Sequence, residues 1–353
     1  MDSRAWVDRI WYGADPVASA VRTALIPAER LFGGIVGARD ILYDAGWLPA
    51  AETPIPAVSI GNLSVGGTGK TPMAAWIARQ LVARGAKPAI VLRGYGSDEP
   101  LVHQTLNPDV AVVVDGDRVT GVVKAANAGA DIAVLDDAFQ HRRVQRIADV
   151  VLVSADQWSG DIRLLPAGPW REPLEAAQRA TIVVVTRKAA SEAVVDDVHD
   201  HLSRVARAVP RVSVRFVLGG LVRADRTERS AKETRSLESL RGASVHAVLS
   251  IADPRAFITQ LSDGGATVRP HVFPDHHAFS ASDIARIAGG IRDDDTVVCT
   301  LKDAVKLAPS WPRLGPPLWY VSQQVMVERG VGGLERLVED LVRVRSRTSP
   351  TAG

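Results

Sequence analysis

Short, wholly apolar runs alternate with helical stretches between residues 51 and 211. Residues 132–135 and 182–185 contain no polar side chain, which is typical of strands in a parallel sheet that helices cover on both faces. The predicted strands are 55–60, 88–92, 110–114, 131–135, 149–153 and 181–185, and the predicted helices include 72–84 and 118–128. The pattern predicts a doubly wound α/β domain that binds ligands at the carboxyl ends of its strands.

A second, smaller α/β domain is predicted farther along the chain. Residues 212–217 alternate as a half-buried strand does, and 319–322 with 325–327 can pair with them, so two strands link the domains. Between them lie predicted strands 244–250, 268–273 and 296–300 and helices 254–263 and 282–291. The predicted division is 1–46 for N-terminal helices, 47–211 for the first α/β domain, 212–234 for a linker strand and loop, 235–312 for the smaller α/β domain, 313–330 for a return strand, and 331–353 for a C-terminal helix and tail.

The N-terminal segment 4–46 is predicted to form helices that break at Pro16 and Pro27. Apolar faces that include Trp6 and Trp11 alternate with arginines in this segment. Such helices can pack on their own domain or lie in the interface of a bilayer, and the pattern leaves both interpretations open.

Composition narrows the possibilities only a little. A chain of 353 residues has room for two domains, and a net charge of +2 is too small to favour a nucleic-acid partner. Its single cysteine, Cys299, excludes an internal disulfide and a cysteine-based metal cluster, which fits a reducing compartment. No apolar run reaches the length of a membrane span, and we expect neither a signal peptide nor an obligate protein partner.

A glycine-rich turn between the first strand and the first helix of this domain indicates a phosphate-binding loop. Its backbone N–H groups, together with the helix N-terminus, are predicted to hold phosphate oxygens. Lys70 is predicted to reach the β- and γ-phosphates, and the Thr71 hydroxyl to hold Mg²⁺. The predicted nucleotide-binding residues are Ser64, Val65, Gly66, Gly67, Thr68, Gly69, Lys70 and Thr71. Ser64 stands where the general pattern has glycine.

Polar residues follow several other predicted strands. Asp136 and Asp137 follow strand 131–135, where a carboxylate can hold Mg²⁺ directly or through water. Arg93 follows strand 88–92, and Arg171 lies in a proline-rich loop where it could meet a phosphate. In the second domain, His276 is adjacent to Asp275; such a histidine can orient a proton acceptor, or it can be an ordinary surface residue.

Taken together, these motifs resemble the tetraacyldisaccharide 4'-kinase family, the lipid A 4'-kinases of Gram-negative bacteria. The matching pieces are Gly61-Asn62-Leu63, Gly66-Gly67-Thr68-Gly69-Lys70-Thr71-Pro72, Arg93-Gly94-Tyr95-Gly96, Asp98-Glu99-Pro100, Asp136-Asp137-Ala138-Phe139-Gln140-His141, Leu165-Pro166-Ala167-Gly168-Pro169, Arg171-Glu172-Pro173, Asp275-His276 and Lys302-Asp303-Ala304-Val305-Lys306. A hydroxyl residue at position 64 is usual in the family. Ala138 and Leu301 depart from its pattern, and Leu301 leaves the role of residues 300–306 open.

The resemblance implies a P-loop kinase domain that transfers the γ-phosphate of ATP, with Mg²⁺, to the 4'-hydroxyl of a membrane-embedded lipid A precursor, tetraacyldisaccharide 1-phosphate. It implies peripheral attachment to the cytoplasmic face of the inner membrane through residues 1–46. It also implies that Asp98 is the catalytic base and that His276 orients or tunes it. His141 is expected near the phosphates or the metal. Arg93, His141 and Arg171 are candidate substrate residues, with the 1-phosphate as the partner of Arg171.

Two alternatives belong to other functional classes. A regulatory P-loop NTPase would hydrolyse nucleotide to switch a partner, although the chain lacks a clear Asn-Lys-x-Asp base-recognition motif. A kinase of a soluble metabolite would use the N-terminal helices only as core. Because the predicted boundaries place Asp98 and His276 in different domains, the kinase interpretation further predicts domain closure during catalysis.

Overall fold

The computed structural model describes residues 3–94, 98–224, 233–292, 295–312 and 315–348. The chain folds into two compact units. Unit 1 contains Met1–Arg93, Asp109–Val214 and Val327–Gly353, and unit 2 contains Gly94–Pro108 and Arg215–Met326.

The helices and strands follow the predicted alternation closely. The helices are α1 (Ser3–Tyr12), α2 (Pro16–Asp44), α3 (Lys70–Val82), α4 (Asp98–Leu106), α5 (Arg118–Asn127), α6 (Glu192–Val205), α7 (Pro254–Asp263), α8 (Ala281–Gly289), α9 (Leu301–Leu307) and α10 (Val331–Thr348). The strands are β1 (Ala57–Asn62), β2 (Pro88–Leu92), β3 (Ala111–Val114), β4 (Ile132–Asp136), β5 (Ala148–Ser154), β6 (Ile182–Arg187), β7 (Arg211–Arg223), β8 (Thr234–Arg235), β9 (Ser244–Leu249), β10 (Thr267–Val272), β11 (Thr296–Thr300) and β12 (Leu318–Arg329). Strands β1 to β6 begin and end within two residues of their predicted bounds.

The sheet of unit 1 has the strand order β7-β6-β5-β1-β4-β2-β3. The strands from β6 to β3 in this order pair in parallel. All residues of β1, β2 and β4 are buried, which explains why these strands contain so few polar side chains. The predicted doubly wound α/β sheet is therefore confirmed. Ile60 of β1 lies opposite Asp136 of β4, so the loops that follow these two strands leave the sheet side by side.

Unit 2 is a smaller α/β layer. Its strands lie in the order β10-β9-β11-β12-β7, and the short strand β8 pairs antiparallel with β7. One apolar cluster centres on Phe257 and Trp319, and another on Cys299 and Trp311, so buried side chains line both faces. Strands β7 and β12 are adjacent, and each passes from one unit into the other.

Helix α2 differs from the prediction because it continues through Pro27. A proline inside a helix removes one backbone hydrogen bond and costs about 3 kcal/mol. Contacts on both sides of Pro27 offset this cost: Arg22 donates to the Ile10 and Gly13 carbonyls, and Arg39 pairs with Glu172 at 2.7 Å. The predicted break at Pro16 is present, where Pro16 opens the helix and Asp15 caps it.

The segment Gly94–Pro108 belongs to unit 2, although the predicted boundaries placed it in the first domain. Helix α4 packs against α9. The two helices are far apart in the sequence, so local periodicity gives no sign of this contact. Asp98 and His276 therefore lie in the same compact unit. This corrects the argument for domain closure that rested on placing them in different domains.

Within the described ranges, no helix combines the length and the apolar content that crossing a bilayer requires. Helix α2 is nevertheless unusual. Among its exposed positions, only Arg30 and Asp44 are charged.

Gly61 allows β1 to approach the loop that follows β4. A Cβ atom added at position 61 would lie 2.5 Å from Phe139 Cβ and 2.7 Å from the Phe139 backbone nitrogen. Because backbone cannot yield cheaply, we expect Gly61→Ala to lower the free energy of unfolding by about 1–3 kcal/mol, as measured by urea denaturation. Gly116→Ala is the matched control, since no atom lies within 4 Å of the added Cβ there. Equal stability of the two variants would contradict this packing argument.

Candidate active site

The phosphate-binding loop joins β1 to α3, as the sequence predicts. Gly66 and Gly69 have positive φ angles of 121° and 92°, which residues other than glycine rarely adopt. A Cβ at Gly66 would also lie 2.5 Å from Gln157 Nε2. Lys70 is the first residue of α3, so the free N–H groups of the first helical turn face the loop.

The side chain of Asn62, at the end of β1, holds this loop in shape. Its Nδ2 donates to the Ser64 carbonyl at 2.6 Å and to Thr68 Oγ1 at 2.9 Å. Thr186 Oγ1 donates to the Thr68 carbonyl at 2.9 Å. Because Asn62 and Thr68 are buried, these bonds are shielded from competing water, and they fix the loop in one conformation.

Oxygen ligands for a hard cation lie beside the start of α3. Thr71 Oγ1 donates to Asp136 Oδ2 at 3.3 Å, and Lys70 Nζ lies 3.7 Å from Asp137 Oδ1. A hydroxyl and carboxylates are the ligands that Mg²⁺ prefers, alongside water and substrate phosphates. In the described ranges no three His, Cys, Asp or Glu side chains form a metal site by themselves. The residues therefore suit an ion that phosphates and water help to coordinate.

Arg171 contacts the second carboxylate of this group. Its Nη1 donates to Asp137 Oδ1 at 3.1 Å and to Oδ2 at 3.3 Å. Asp137 has a φ of 50°, in the left-handed region that few non-glycine residues adopt. Lys70 and Arg171 thus converge on one carboxylate.

A loop of residues 164–173 braces the phosphate-binding loop from outside. Val65 N donates to the Pro169 carbonyl at 2.8 Å, and Arg171 N donates to the Leu63 carbonyl at 2.7 Å. On its other side, Leu164 N donates to Glu29 Oε1 of α2 at 2.8 Å. Loop 164–173 therefore connects helix α2 to the phosphate-binding loop.

His141 and Arg93 lie at the same edge of unit 1. Burial, together with the charges of Arg118 and Arg93, lowers the pKa of His141, although Asp137 opposes this effect. His141 is therefore neutral at pH 7 and able to accept a hydrogen bond. Arg118 is buried, and it donates to the Asp136 carbonyl at 3.1 Å.

In unit 2, Asp98 lies at the start of α4 and is almost fully buried. His276 Nδ1 lies 3.3 Å from each carboxylate oxygen of Asp98. Burial alone would raise the pKa of the Asp98 carboxyl. The hydrogen bond from His276, the charge of His276 when protonated and the charge of Lys302 outweigh burial, and they hold the pKa of Asp98 below its usual value.

Residues 300–306, whose role the sequence left open, support the His276 loop. Lys302 Nζ lies 3.0 Å from His276 Nε2 and 3.1 Å from Asp275 Oδ1. Asp303 is fully buried and accepts bonds from Ser250 and Thr300.

Comparisons with known proteins identify the family. The sequence model described as LpxK, Tetraacyldisaccharide-1-P 4'-kinase, matches residues 21–98 and 97–343. The chain is 36% identical over 335 residues to the tetraacyldisaccharide 4'-kinase of Anaeromyxobacter sp. (strain Fw109-5), covering 86% of this chain and 88% of the relative. The chain belongs to the tetraacyldisaccharide-1-P 4'-kinase family. The resemblance drawn from the motifs is thereby confirmed, as is the prediction that the chain is a kinase.

Other members and a solved structure agree with this assignment. The tetraacyldisaccharide 4'-kinase of Xanthomonas campestris pv. campestris (strain 8004) is 33% identical over 320 residues, covering 85% of this chain and 86% of the relative. A crystal structure of LpxK from Aquifex aeolicus in complex with ATP has a TM-score of 0.70 and 26% identity, covering 92% of this chain and 99% of that chain.

The structure gathers most residues of the predicted site into two clusters. Unit 1 brings together the phosphate-binding loop, Lys70, Thr71, Asp136, Asp137 and Arg171, with Arg93 and His141 at the same sheet edge. Unit 2 brings together Asp98 and His276. Residues 95–97, which include Tyr95 and Gly96 of the motif that begins at Arg93, lie outside the described residues.

Sequence reasoning missed two contributors, the buried Arg118 and the lysine beside His276. Arg118 begins α5, where its charge looks like that of any exposed helical residue. Lys302 belongs to a family motif, but nothing in the sequence shows that it faces His276.

Proposed function

We propose that this chain transfers the γ-phosphate of ATP to the 4'-hydroxyl of tetraacyldisaccharide 1-phosphate. One observation carries the proposal: in a member of the 4'-kinase family, Lys70, Thr71, Asp136 and Asp137 meet at the start of α3 beside a glycine-rich loop. The names of its relatives and the ATP bound to the Aquifex aeolicus protein support both substrates.

In this proposal, unit 1 binds and orients the nucleotide. The N–H groups of the loop and of the first turn of α3 hold phosphate oxygens, and Lys70 neutralises charge at the transferring phosphoryl group. Thr71, Asp136 and Asp137 would hold Mg²⁺, which would supply further neutralisation of the phosphate charge. Arg171, already beside Asp137, is positioned to pair with a phosphate of either substrate.

Unit 2 supplies the proton acceptor. Asp98 removes the proton from the 4'-hydroxyl as the oxygen attacks the γ-phosphorus, and the bond from that phosphorus to the departing ADP breaks. Because its pKa is lowered, Asp98 is ionised at neutral pH and ready to accept that proton. His276 holds the carboxylate in position through Nδ1.

The experiment that tests this function is transfer of radiolabelled γ-phosphate from ATP to tetraacyldisaccharide 1-phosphate in mixed micelles with Mg²⁺. We expect labelled lipid product, and little release of inorganic phosphate when the lipid is omitted. No labelled lipid from folded protein, with lipid-independent nucleotide hydrolysis instead, would support a regulatory NTPase and overturn the proposal.

We further propose that α2 lies in the membrane interface, at the cytoplasmic face of the inner membrane. The acceptor carries four acyl chains and stays in the bilayer, so a 4'-kinase must work at that surface. The exposed side of α2 presents Leu31, Ile35 and Ile41, each more than 60% exposed, and only two charged residues. A helix side of this kind buries apolar area in the headgroup region without spanning the bilayer.

Leu31→Asp and Ile35→Asp are each expected to reduce binding to phosphatidylethanolamine/phosphatidylglycerol vesicles about tenfold, because each removes an apolar side chain worth roughly 1.5–3 kcal/mol when buried. Vesicle flotation measures the bound fraction. Val331→Asp is the matched control, since Val331 is 54% exposed and begins α10, where an acidic residue is favourable. Unchanged flotation of both α2 variants would show that another surface makes the contact.

A further inference from the structure

We propose that Lys302 is a positioning residue for phosphoryl transfer: it fixes the tautomer of His276 so that Nδ1–H points at Asp98. The inference rests on the proposed function, because it assigns Asp98 the role of proton acceptor. Lys302 belongs to residues 300–306, the segment whose role the sequence left open.

The geometry determines where the proton of a neutral His276 ring lies. A neutral imidazole has one N–H donor and one bare acceptor nitrogen, whereas a lysine ammonium group can only donate. Lys302 Nζ lies 3.0 Å from His276 Nε2, so Nε2 must be the acceptor. The ring proton is then on Nδ1, 3.3 Å from both Asp98 oxygens, where it can donate to the carboxylate.

Without Lys302, Asp275 would favour the opposite tautomer of His276. Asp275 Oδ2 lies 3.9 Å from His276 Nε2, close enough to attract a proton onto that nitrogen. Lys302 prevents this by donating to Asp275 Oδ1 at 3.1 Å and to Nε2 together. Without Lys302, the Nε2–H tautomer gains a partner in Asp275, and the lone pair of Nδ1 then faces the negative carboxylate of Asp98.

Helix α9 also holds the backbone that carries His276. His276 has a φ of 58°, in the sparsely populated left-handed region, and its N–H donates to the Ser250 carbonyl at 3.2 Å. Ser250 N donates in turn to Asp303 of α9 at 3.0 Å, and Lys306 of α9 donates to the His277 carbonyl at 3.2 Å. One short helix therefore fixes both the position of the ring and, through Lys302, its proton.

The test compares Lys302→Met, which keeps most of the aliphatic stem, with Lys302→Arg, which can still donate to Nε2. Lys124→Met is the control, because Lys124 is an exposed lysine of unit 1. The transfer assay gives kcat and KM for both substrates. Nitrogen NMR of labelled protein, with His276→Gln used for assignment, reports which ring nitrogen carries the proton in the absence of substrates. Thermal unfolding checks that each variant is folded.

We expect Lys302→Met to lower kcat at least tenfold with both KM values within twofold of wild type, and Lys302→Arg to recover at least a third of the lost kcat. The NMR signals should show a bare Nε2 in the wild type and a protonated Nε2 in Lys302→Met. A protonated Nε2 in the neutral ring of the wild type, or an unchanged kcat in Lys302→Met, would overturn the assignment. Absence of lipid product from wild-type protein would instead overturn the proposed function, while NMR would still decide the tautomer.

Discussion

Asp98→Asn is expected to lower kcat for transfer to the lipid acceptor by about 10²–10⁴-fold, the range typical of a lost general base. The asparagine keeps the shape of the side chain but cannot accept the proton of the 4'-hydroxyl. Since Asp98 is almost fully buried, the amide also replaces the charged acceptor of the His276 hydrogen bond with a neutral one. The labelled-phosphate transfer assay at saturating ATP measures the loss. Asp263→Asn, an exposed carboxylate at the end of α7 in unit 2, is the matched control.

The pH dependence separates a base from a merely structural carboxylate. Asp98 must be ionised to act, so activity should fall as the pH drops through the pKa of Asp98. Although burial opposes them, His276 and Lys302 hold the pKa of Asp98 below its usual value, so the acidic limb of the wild-type profile lies at lower pH than an ordinary carboxyl would give. In His276→Ala, burial is no longer opposed by His276, and the limb should move to higher pH. An unmoved limb in His276→Ala would argue against Asp98 as the base.

Lys70→Ala should reduce kcat/KM by about 10²–10³-fold, the loss typical when one preorganised group that stabilises transition-state charge is removed. Lys70 begins α3, and its Nζ approaches Asp137, so its charge lies where the phosphates are proposed to bind. The same transfer assay applies, with Lys124→Ala as the control for removing an exposed lysine, one that belongs to α5. If Lys70→Ala retained more than a tenth of wild-type kcat/KM, the phosphate site would have to lie elsewhere.

Much of unit 1 could be predicted because its signals are local. The runs 132–135 and 182–185 lack polar residues since both faces of their strands are buried. The phosphate-binding loop can be recognised from the sequence because backbone geometry requires its glycines. Gly66 and Gly69 occupy conformations that other residues rarely adopt.

The features that escaped prediction all depend on contacts distant in sequence. Helix α2 continues through Pro27 because partners such as Ile10 and Glu172 hold it on both sides of the proline. Helix α4 joins unit 2 because it packs on α9. Lys302 contacts His276 although the two residues are 26 positions apart in the sequence. The residues adjacent to either one give no indication of this contact.

Loop 164–173 changes how experiments on the N-terminal helices should be designed. Removing residues 1–46 would delete Glu29, which accepts from Leu164 N, and Arg39, which pairs with the fully buried Glu172. Loss of one partner from a buried ion pair typically costs 3–5 kcal/mol, although Arg179 still contacts Glu172 at 2.5 Å. Loop 164–173 also forms hydrogen bonds with Leu63 and Val65. A loss of activity in the truncated protein would therefore not distinguish lost lipid binding from a distorted nucleotide site. Single substitutions on the exposed side of α2 leave these bonds intact, so they isolate the lipid contact as deletion cannot.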